Sequence, residues 1–499
     1  MKVYLKSLLW SVLLLFALGS CAKNTQITGL SASLEELWAD QNGNPLDANK
    51  KELSVVVSSD EAWQVSSDAL WLSTNAQMGG ISRTIVGIKV QPNLSGEERQ
   101  GVLTFATSKE HVEVRVKQKG GNDIDISTVT YEIPVIFHVL YNEEDKLQTD
   151  TLRRKYVLNS TDAQKILEYI NELHGQRPQL DNNQVYRGIK RWSESMATNE
   201  VYYVPRETNI RFVLATVDPD GKRISPAGVR AVAMTEKSLS PSTVMNDKEG
   251  GRFHSMGWPI NKYINIFVFP FTREGGANQL TLGISHLPFA LNSVAIEGLS
   301  QLSAEDEAKI KAAGGLAGFS NYNHCVAINS DAFEWLTWQY TFLKGNLGKN
   351  TLAHELGHYL GLFHTFSEVQ GSSGSVILDS CEDTDYCTDT PTYNRQKYEE
   401  NRRAIIASGN TSILEIAGLL KRNDCSSGRF DATNIMDYDF CHSDEFSLNQ
   451  IARMRQVLYN SYTVPGIKVA TPRSDTRGLQ DLVRITAEPR TTSCAIHLD

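Results

Sequence analysis

Residues 354–364 read HELGHYLGLFH, and the spacing of its three histidines dictates how the chain must fold around them. His354 and His358 are four apart, so on an α-helix they share a face and can both reach one metal ion. His364 cannot belong to the same straight helix. Ten residues beyond His354 is about 15 Å along the axis, while zinc–nitrogen bonds are only about 2.0–2.1 Å long. The chain must therefore turn back after His358, and Gly361 stands at that point. Glycine tolerates the left-handed conformation that ends a helix. Leu352, Leu356 and Leu360 form an apolar i, i+4, i+8 stripe, so a packed helix is expected with or without a metal. Structural zinc sites usually close with four protein ligands, whereas three neutral imidazoles leave a position open for water. Glu355, next to a ligand, faces another side of the helix and can take a proton from that water without binding the metal. The whole chain has only eleven histidines, which makes this clustering a chemical signal.

The chain has 499 residues, 41% of them hydrophobic and 21% charged. That composition describes folded globular material, and the length calls for two or three domains. Net charge is −9 and no long basic run occurs, so nucleic acid is not expected as a partner. Lys2 and Lys6 flank an apolar run from Leu8 to Leu18 that is too short to span a bilayer comfortably. The run ends in Leu18-Gly19-Ser20-Cys21 and resembles a bacterial lipoprotein signal. Residues 1–20 are then the signal peptide, and Cys21 is the lipidated residue at the head of a 21–26 tether. A plain secretory signal is the alternative, and both place the mature protein outside the cytoplasm. With lipid attached, the protein is anchored to a bacterial membrane, outer membrane or cell surface, without a spanning helix.

After Cys21 the next cysteine is Cys325. In an exported protein the even set that follows reads as disulfides. Cys381, Cys387, Cys425 and Cys441 are expected to form two bridges, with three pairings open, and Cys325 with Cys494 is a further candidate pair.

Residues 27–119 read as short β-rich or alternating segments (Leu53–Val57, Ile85–Val90, Val102–Phe105, Val112–Val116) with polar turns and no helical period, which predicts an all-β sandwich. Trp63-Gln-Val-Ser66, Trp71-Leu-Ser73, Asn93 with Ser95, Arg99-Gln-Gly101 and a closing Val-Lys-Gln118 resemble the BACON domain. That resemblance implies glycan contact by the β-domain; a spacer holding the rest of the chain off the membrane is an equal reading. Trp63 and Trp71 fit sandwich core better than a sugar-stacking platform. Residues 120–129 read as a linker, and 130–463 as a second domain. Its predicted strands are Tyr131–Tyr141, Ile210–Val217 and Tyr263–Phe271. Asp162–His174, Ser303–Ala313 and Leu448–Tyr459 have helical spacing, with Asn350 and Thr351 available to cap the metal helix. Gln370–Ser375 reads as a flexible loop, and the 464–499 tail has no clear periodicity. The predicted fold class is α+β preceded by an all-β sandwich.

The HExxHxxGxxH pattern, with Asn434-Ile-Met-Asp-Tyr438 downstream, resembles the metzincin metallopeptidases. TLAHELGHYLGLFHTF, Asp389-Thr-Pro391, Cys441, Phe446 and Gln450-Ile-Ala-Arg-Met454 are similar to the pappalysin-like branch, as are YEIPVIFHVLY and Ile210-Arg-Phe-Val-Leu-Ala215. The resemblance implies a metzincin-like catalytic domain: a mixed twisted sheet with helices, the zinc helix, and a loop-rich, disulfide-bearing C-terminal subdomain. It implies a zinc (Zn2+) metalloendopeptidase acting on protein or peptide substrates. His354, His358 and His364 would be the ligands, Glu355 the general base, Met436 an apolar floor in the Met-turn, and Tyr438 a donor to the tetrahedral oxyanion; simple packing is the other reading of Tyr438. Cys387 departs from the aliphatic residue expected before Asp-Thr-Pro. Asp379, Glu382, Asp383, Asp385 and Asp389 crowd the loop after His364, leaving a calcium (Ca2+) site and a solvated acidic loop both open. His138 and His442 read as structural.

Overall fold

In the computed structural model, alternation of buried and half-exposed residues along the first strands folds them into two facing sheets. The structure describes residues 28–34, 45–48, 52–69, 71–91, 93, 98–120, 130–146, 158–178, 185–191, 201–272, 279–312, 321–331, 347–371, 374–409, 418–425, 428–438, 440–466 and 489–497. Strands β1 (Ser31–Leu34), β2 (Glu52–Ser59), β3 (Trp63–Ser67), β4 (Leu72–Thr74), β5 (Met78–Gly79), β6 (Ser82–Val90), β7 (Arg99–Ala106) and β8 (His111–Gln118) pair antiparallel in the orders β1-β2-β6-β4 and β5-β3-β7-β8. One core joins both sheets, with Val55, Val57 and Val86 facing Trp63, Leu103 and Phe105. Trp63 lies edge-on to Phe105 at 5.6 Å, and Trp71 carries the Arg99 guanidinium 4.3 Å above its ring. Both tryptophans are buried. They are core, and neither is a platform for sugar stacking.

The second region is built on one mixed sheet. β9 (Tyr131–Asn142) is long enough to pair parallel with both β12 (Ile210–Leu214) and β13 (Val229–Met234), which take its successive halves. β14 (Ile264–Phe269) and β16 (Val326–Asn329) continue the parallel run, and β15 (Gln279–His286) and β21 (Thr491–His497) close it antiparallel. Every residue of β14 is buried, as parallel strands covered on both faces require. Small ribbons pair β10 (Ile189–Arg191) with β11 (Val201–Tyr203), β17 (Glu368–Gly371) with β18 (Gly374–Ile377), and β19 (Lys421–Asn423) with β20 (Arg429–Asp431).

Among the described residues the helices of five residues or more are α1 (Ser160–Leu173), α2 (Pro241–Met245), α3 (Ala304–Ala312), α4 (Leu347–Tyr359), α5 (Arg395–Ala407) and α6 (Leu448–Asn460). Asn159 caps α1 through the Asp162 amide. Ser447 and Gln450 form a reciprocal capping box at α6, which satisfies two amide donors that a helix start leaves without partners. Ile166 and Ile170 of α1, Leu352, Leu356 and Leu360 at α4, and Met454 and Val457 of α6 share one core with β9 and β14. The α+β class and the all-β N-terminal region are as expected.

Several expectations are corrected. α4 begins at Leu347, before Asn350 and Thr351, so neither caps it; Asn350 instead accepts a 2.7 Å bond from the Tyr169 hydroxyl inside the packed layer. Of the expected Gln370–Ser375 loop, Gln370 and Gly371 lie in β17 and Gly374 and Ser375 in β18, paired antiparallel, while 372–373 lie outside the described residues. The featureless tail supplies β21. Of the expected bridges only Cys381–Cys425 forms among the described residues. Cys387 and Cys441 are free, and so is Cys325, which is buried against Met245, so none of these three makes the bridge expected of it. Burial pushes the Cys387 and Cys441 thiols up to about 12, so they behave as small apolar residues. The leader, Cys21 and the 21–26 tether lie outside the described residues. Among those described, no helix is long and apolar enough to cross a membrane.

The Cys381–Cys425 bridge closes a loop of 44 residues, so Cys381→Ser is expected to lower stability by about 2–4 kcal/mol. Chemical denaturation under oxidising conditions checks this; Cys387→Ser, measured alongside, should lack the loop-closure effect. An unchanged midpoint for Cys381→Ser would mean that the loop is held by its other contacts.

Candidate metal centre

α4 carries the first two histidines on one face and ends just where the spacing requires. Gly361 adopts φ +87°. The Leu362 amide donates to the Gly357 carbonyl at 3.0 Å and the Gly361 amide to His358 at 2.8 Å. This pair of bonds is the Schellman closure that satisfies the last carbonyls of a helix. Arg453 of α6 clamps the reversal, its Nε donating to the Gly361 carbonyl at 2.6 Å. The reversal returns His364 to the helix face.

The result is a convergence of three ring nitrogens. His354 Nε2 and His358 Nε2 are 3.0 Å apart, His358 Nε2 and His364 Nε2 3.1 Å, and His354 Nε2 and His364 Nε2 3.2 Å. Ligands about 2.05 Å from a tetrahedral zinc would be spaced about 3.3 Å apart, so the cradle fits that ion. The opposite ring nitrogens fix the tautomer. His354 Nδ1 donates to the Ile435 carbonyl and His358 Nδ1 to the Leu362 carbonyl, each at 2.8 Å. His364 Nδ1 lies 2.7 Å from Glu368 Oε2. With each Nδ1 carrying the proton, each Nε2 lone pair points inward. Burial, then the neighbouring His364, pushes His354 down to about 3, and the same causes hold His358 well below its ordinary value. Neutral imidazoles are what metal ligation needs. Among the described residues this is the only group of three or more histidine, cysteine or carboxylate side chains placed to hold a metal.

The surroundings are fitted to the helix by two glycines. A Cβ on Gly357 would lie 2.4 Å from Met436 Sδ, and one on Gly283 of β15 would lie 2.7 Å from Glu355 Cγ. Met436 thus sits directly under α4, and Glu355, fully buried, lies between the helix and β15. Tyr438 packs its ring 4.5 Å from that of His364 and 5.5 Å from that of His354. Beneath it, the Arg422–Asp437 pair is buried at 3.1 Å, and Arg422 donates to the Tyr438 carbonyl at 2.9 Å. Facing charge raises the Arg422 pKa despite burial.

The acidic loop does not assemble a second cation site. Asp385 accepts from the Cys387 amide and the Thr390 hydroxyl. Asp389 accepts from Ser447 and from the Asn449 amide at the start of α6. Asp379 accepts from Asn394. These carboxylates are spent on loop and helix-start bonds, and the calcium reading has no support. His138 is structural, bonded to Asn265 at 2.9 Å and pushed down to about 4 chiefly by burial.

Glu368, Gly283, Arg422 and Asp437 take part in or brace this arrangement without having been singled out from the sequence. A glycine inside a strand or a helix does signal close approach of another group, so Gly283 and Gly357 were open to that inference. Arg422 carried no such signal, because its partner is brought to it by the chain fold.

Residues 313–459 match the peptidase M43 family, described as pregnancy-associated plasma protein-A. Residues 61–119 match the BACON domain, described as an N-terminal binding domain. These two resemblances read from the sequence are borne out: residues 313–459 are similar to the pappalysin-like metallopeptidases and residues 61–119 to the BACON domain. No curated protein matches the chain. Among solved structures, a Bacteroides ovatus GH5 xyloglucanase in complex with a XXXG heptasaccharide is similar at 13% identity and a TM-score of 0.16, over 48% of this chain and 37% of that one. At that score the likeness carries no argument about fold or activity, and the chain spans well under half of that protein's length.

If Glu368 orients His364, Glu368→Gln should weaken zinc binding by about 10–100-fold. Competition against a chromophoric chelator measures this, and an unchanged affinity would remove Glu368 from that role.

Proposed function

We propose that this chain is an exported, lipid-anchored zinc metalloendopeptidase that hydrolyses peptide bonds of protein substrates, with Glu355 as general base. One observation carries the reading: three tautomer-fixed imidazoles converge on a point beside a buried carboxylate that is not one of them. The metallopeptidase family match over the same helix supports it.

A zinc ion held by His354, His358 and His364 would supply Lewis acidity to the scissile carbonyl and to an attacking water. The chain's own groups do the rest. Glu355 sits one residue past a ligand on the neighbouring side of α4, where it accepts the water's proton during attack on the carbonyl carbon and returns it to the leaving amine. Tyr438, its ring against two of the ligands, presents a hydroxyl that donates to the carbonyl oxygen as negative charge develops there. The Arg422 bond to the Tyr438 backbone, with Asp437 beside it, keeps that hydroxyl in place. Met436 fills the volume under α4 with apolar bulk and keeps water from competing with the Ile435 carbonyl for His354 Nδ1–H.

Export is supported from two sides. The first twenty-one residues have the charge, apolar run and terminal cysteine of a lipoprotein leader. Independently, Cys381 and Cys425 are bridged, as expected in an oxidising compartment and not in a reducing cytosol. Cys21 then carries the lipid that holds the enzyme at a membrane, with the BACON-like sandwich between anchor and active site.

Glu355→Ala should retain one zinc and a native melting transition, yet lose peptide hydrolysis by about three orders of magnitude or more. A fluorogenic peptide assay on the zinc-loaded protein decides, and retained turnover would exclude Glu355 as the base. Tyr438→Phe should lower kcat by about 10–100-fold with smaller effect on KM; an unchanged rate would leave Tyr438 a packing residue. For the anchor, Cys21→Ser should abolish incorporation of labelled palmitate and release the protein from the membrane fraction. Continued labelling would contradict lipidation at Cys21.

A further inference from the structure

The tail gives no periodicity in the sequence, yet Thr491–His497 pairs antiparallel along the full length of β15. β15 is the strand that lies against α4 and carries Gly283, the residue that yields space to Glu355. The register sets Cys494 opposite Gly283 and Ser493 opposite Ile284. The Ser493 carbonyl accepts a hydrogen bond from the Tyr438 hydroxyl, the group assigned above to the reacting carbonyl oxygen. Thr492 is 1% exposed. At the start of the strand, the Arg490 carbonyl accepts from the Leu287 amide at 2.8 Å, and its guanidinium donates to the Gly298 carbonyl. The tail strand is therefore held along β15 by its main chain and anchored at its start by the buried Thr492 and by Arg490.

We propose that β21 is a resident peptide ligand: the chain's own C-terminal strand occupies the position of an extended peptide substrate, with the Ser493 carbonyl where a scissile carbonyl would lie. This rests on the peptidase reading above, which it deepens. An unpaired strand edge presents a row of amide donors and carbonyl acceptors that an extended peptide can complete, and strand addition is a general mode of peptide capture. Main-chain pairing along β15 selects extended polypeptide as the substrate class and is tolerant of side-chain identity. A tethered segment competes at an effective concentration near the millimolar range. Free peptide at micromolar concentration is thus excluded until the tail is displaced, and the enzyme is held in check by its own C-terminus.

Two changes remove the tail by different routes. One ends the chain at Arg490; the other keeps the full chain and places a long charged side chain at a buried tail position, Thr492→Arg. Each is expected to raise kcat/KM on a fluorogenic peptide by about tenfold or more, mainly through a lower KM. A second readout does not depend on turnover. A fluorescein-labelled synthetic peptide of residues 489–499 is titrated, by anisotropy, into Glu355→Ala protein with and without its own tail. Binding to the tail-free protein and to the Thr492→Arg protein, but not to the intact chain, supports the proposal. It does so even if no form hydrolyses any peptide, in which case the peptidase reading alone fails. Equal binding to all three forms, or binding to none, overturns it, as does an unchanged KM in both variants when hydrolysis is measurable. Should the shortened chain fail to melt cooperatively, the Thr492→Arg protein decides on the same criteria.

Discussion

The site depends on three hydrogen bonds made on the far side of its three imidazoles. A histidine can present either ring nitrogen, and a free ring rotates; a metal cradle needs both choices made in advance. Here the acceptors come from three different places: the Ile435 carbonyl in the turn before Met436, the Leu362 carbonyl just past the helix end, and the Glu368 carboxylate at the start of β17. The helix, its reversal and the downstream turn must all be in register before the Nε2 atoms can meet. That requirement explains why Gly361 is left-handed, why Arg453 crosses from α6 to hold the Gly361 carbonyl, and why Arg422 is buried against Asp437. Removing one partner from a buried pair of that kind costs about 3–5 kcal/mol, a large fraction of the stability of a typical domain.

The glycines set the distances at which the layers stack. With a side chain at Gly357, α4 would be lifted off Met436; with one at Gly283, β15 would be driven away from Glu355. Both glycines lie inside regular elements, where they weaken the helix or strand that contains them. Their positions make sense only as close approaches, one within the metal helix where it meets Met436 and one on β15 where it meets Glu355. The same closeness lets the β15 edge stand directly beside the proposed general base, so any peptide that pairs with β15 has its backbone delivered to the reacting groups. The C-terminal strand exploits that edge first.

Much of this was legible in the residues. The spacing 354, 358, 364 with glycine at 361 determined a helix, its end and a chain reversal, and Leu352, Leu356 and Leu360 determined which face is buried. The apolar run of Tyr131–Tyr141 declared a central strand, and the short alternating segments before Gln118 declared a sandwich. What escaped reading was set by tertiary contacts. Asn350 looked like a cap but lies inside a helix that begins three residues earlier, because Tyr169 offers its side chain a partner in the packed layer. Four cysteines in one region looked like two bridges, yet Cys387 and Cys441 are placed by surrounding elements that do not bring them together. An acidic loop left calcium and plain solvation equally open, and three of its carboxylates (Asp379, Asp385 and Asp389) bond to nearby amides and hydroxyls instead. The tail had no pattern of its own because its strand is defined by the edge it joins.

The most direct test of the central claim is a zinc titration of the purified chain by calorimetry, beside the same titration of His364→Ala. The account predicts one zinc per chain, with affinity reduced at least about a hundredfold when the returning third ligand is lost. Absence of tight zinc binding, or binding undiminished in His364→Ala, would contradict it.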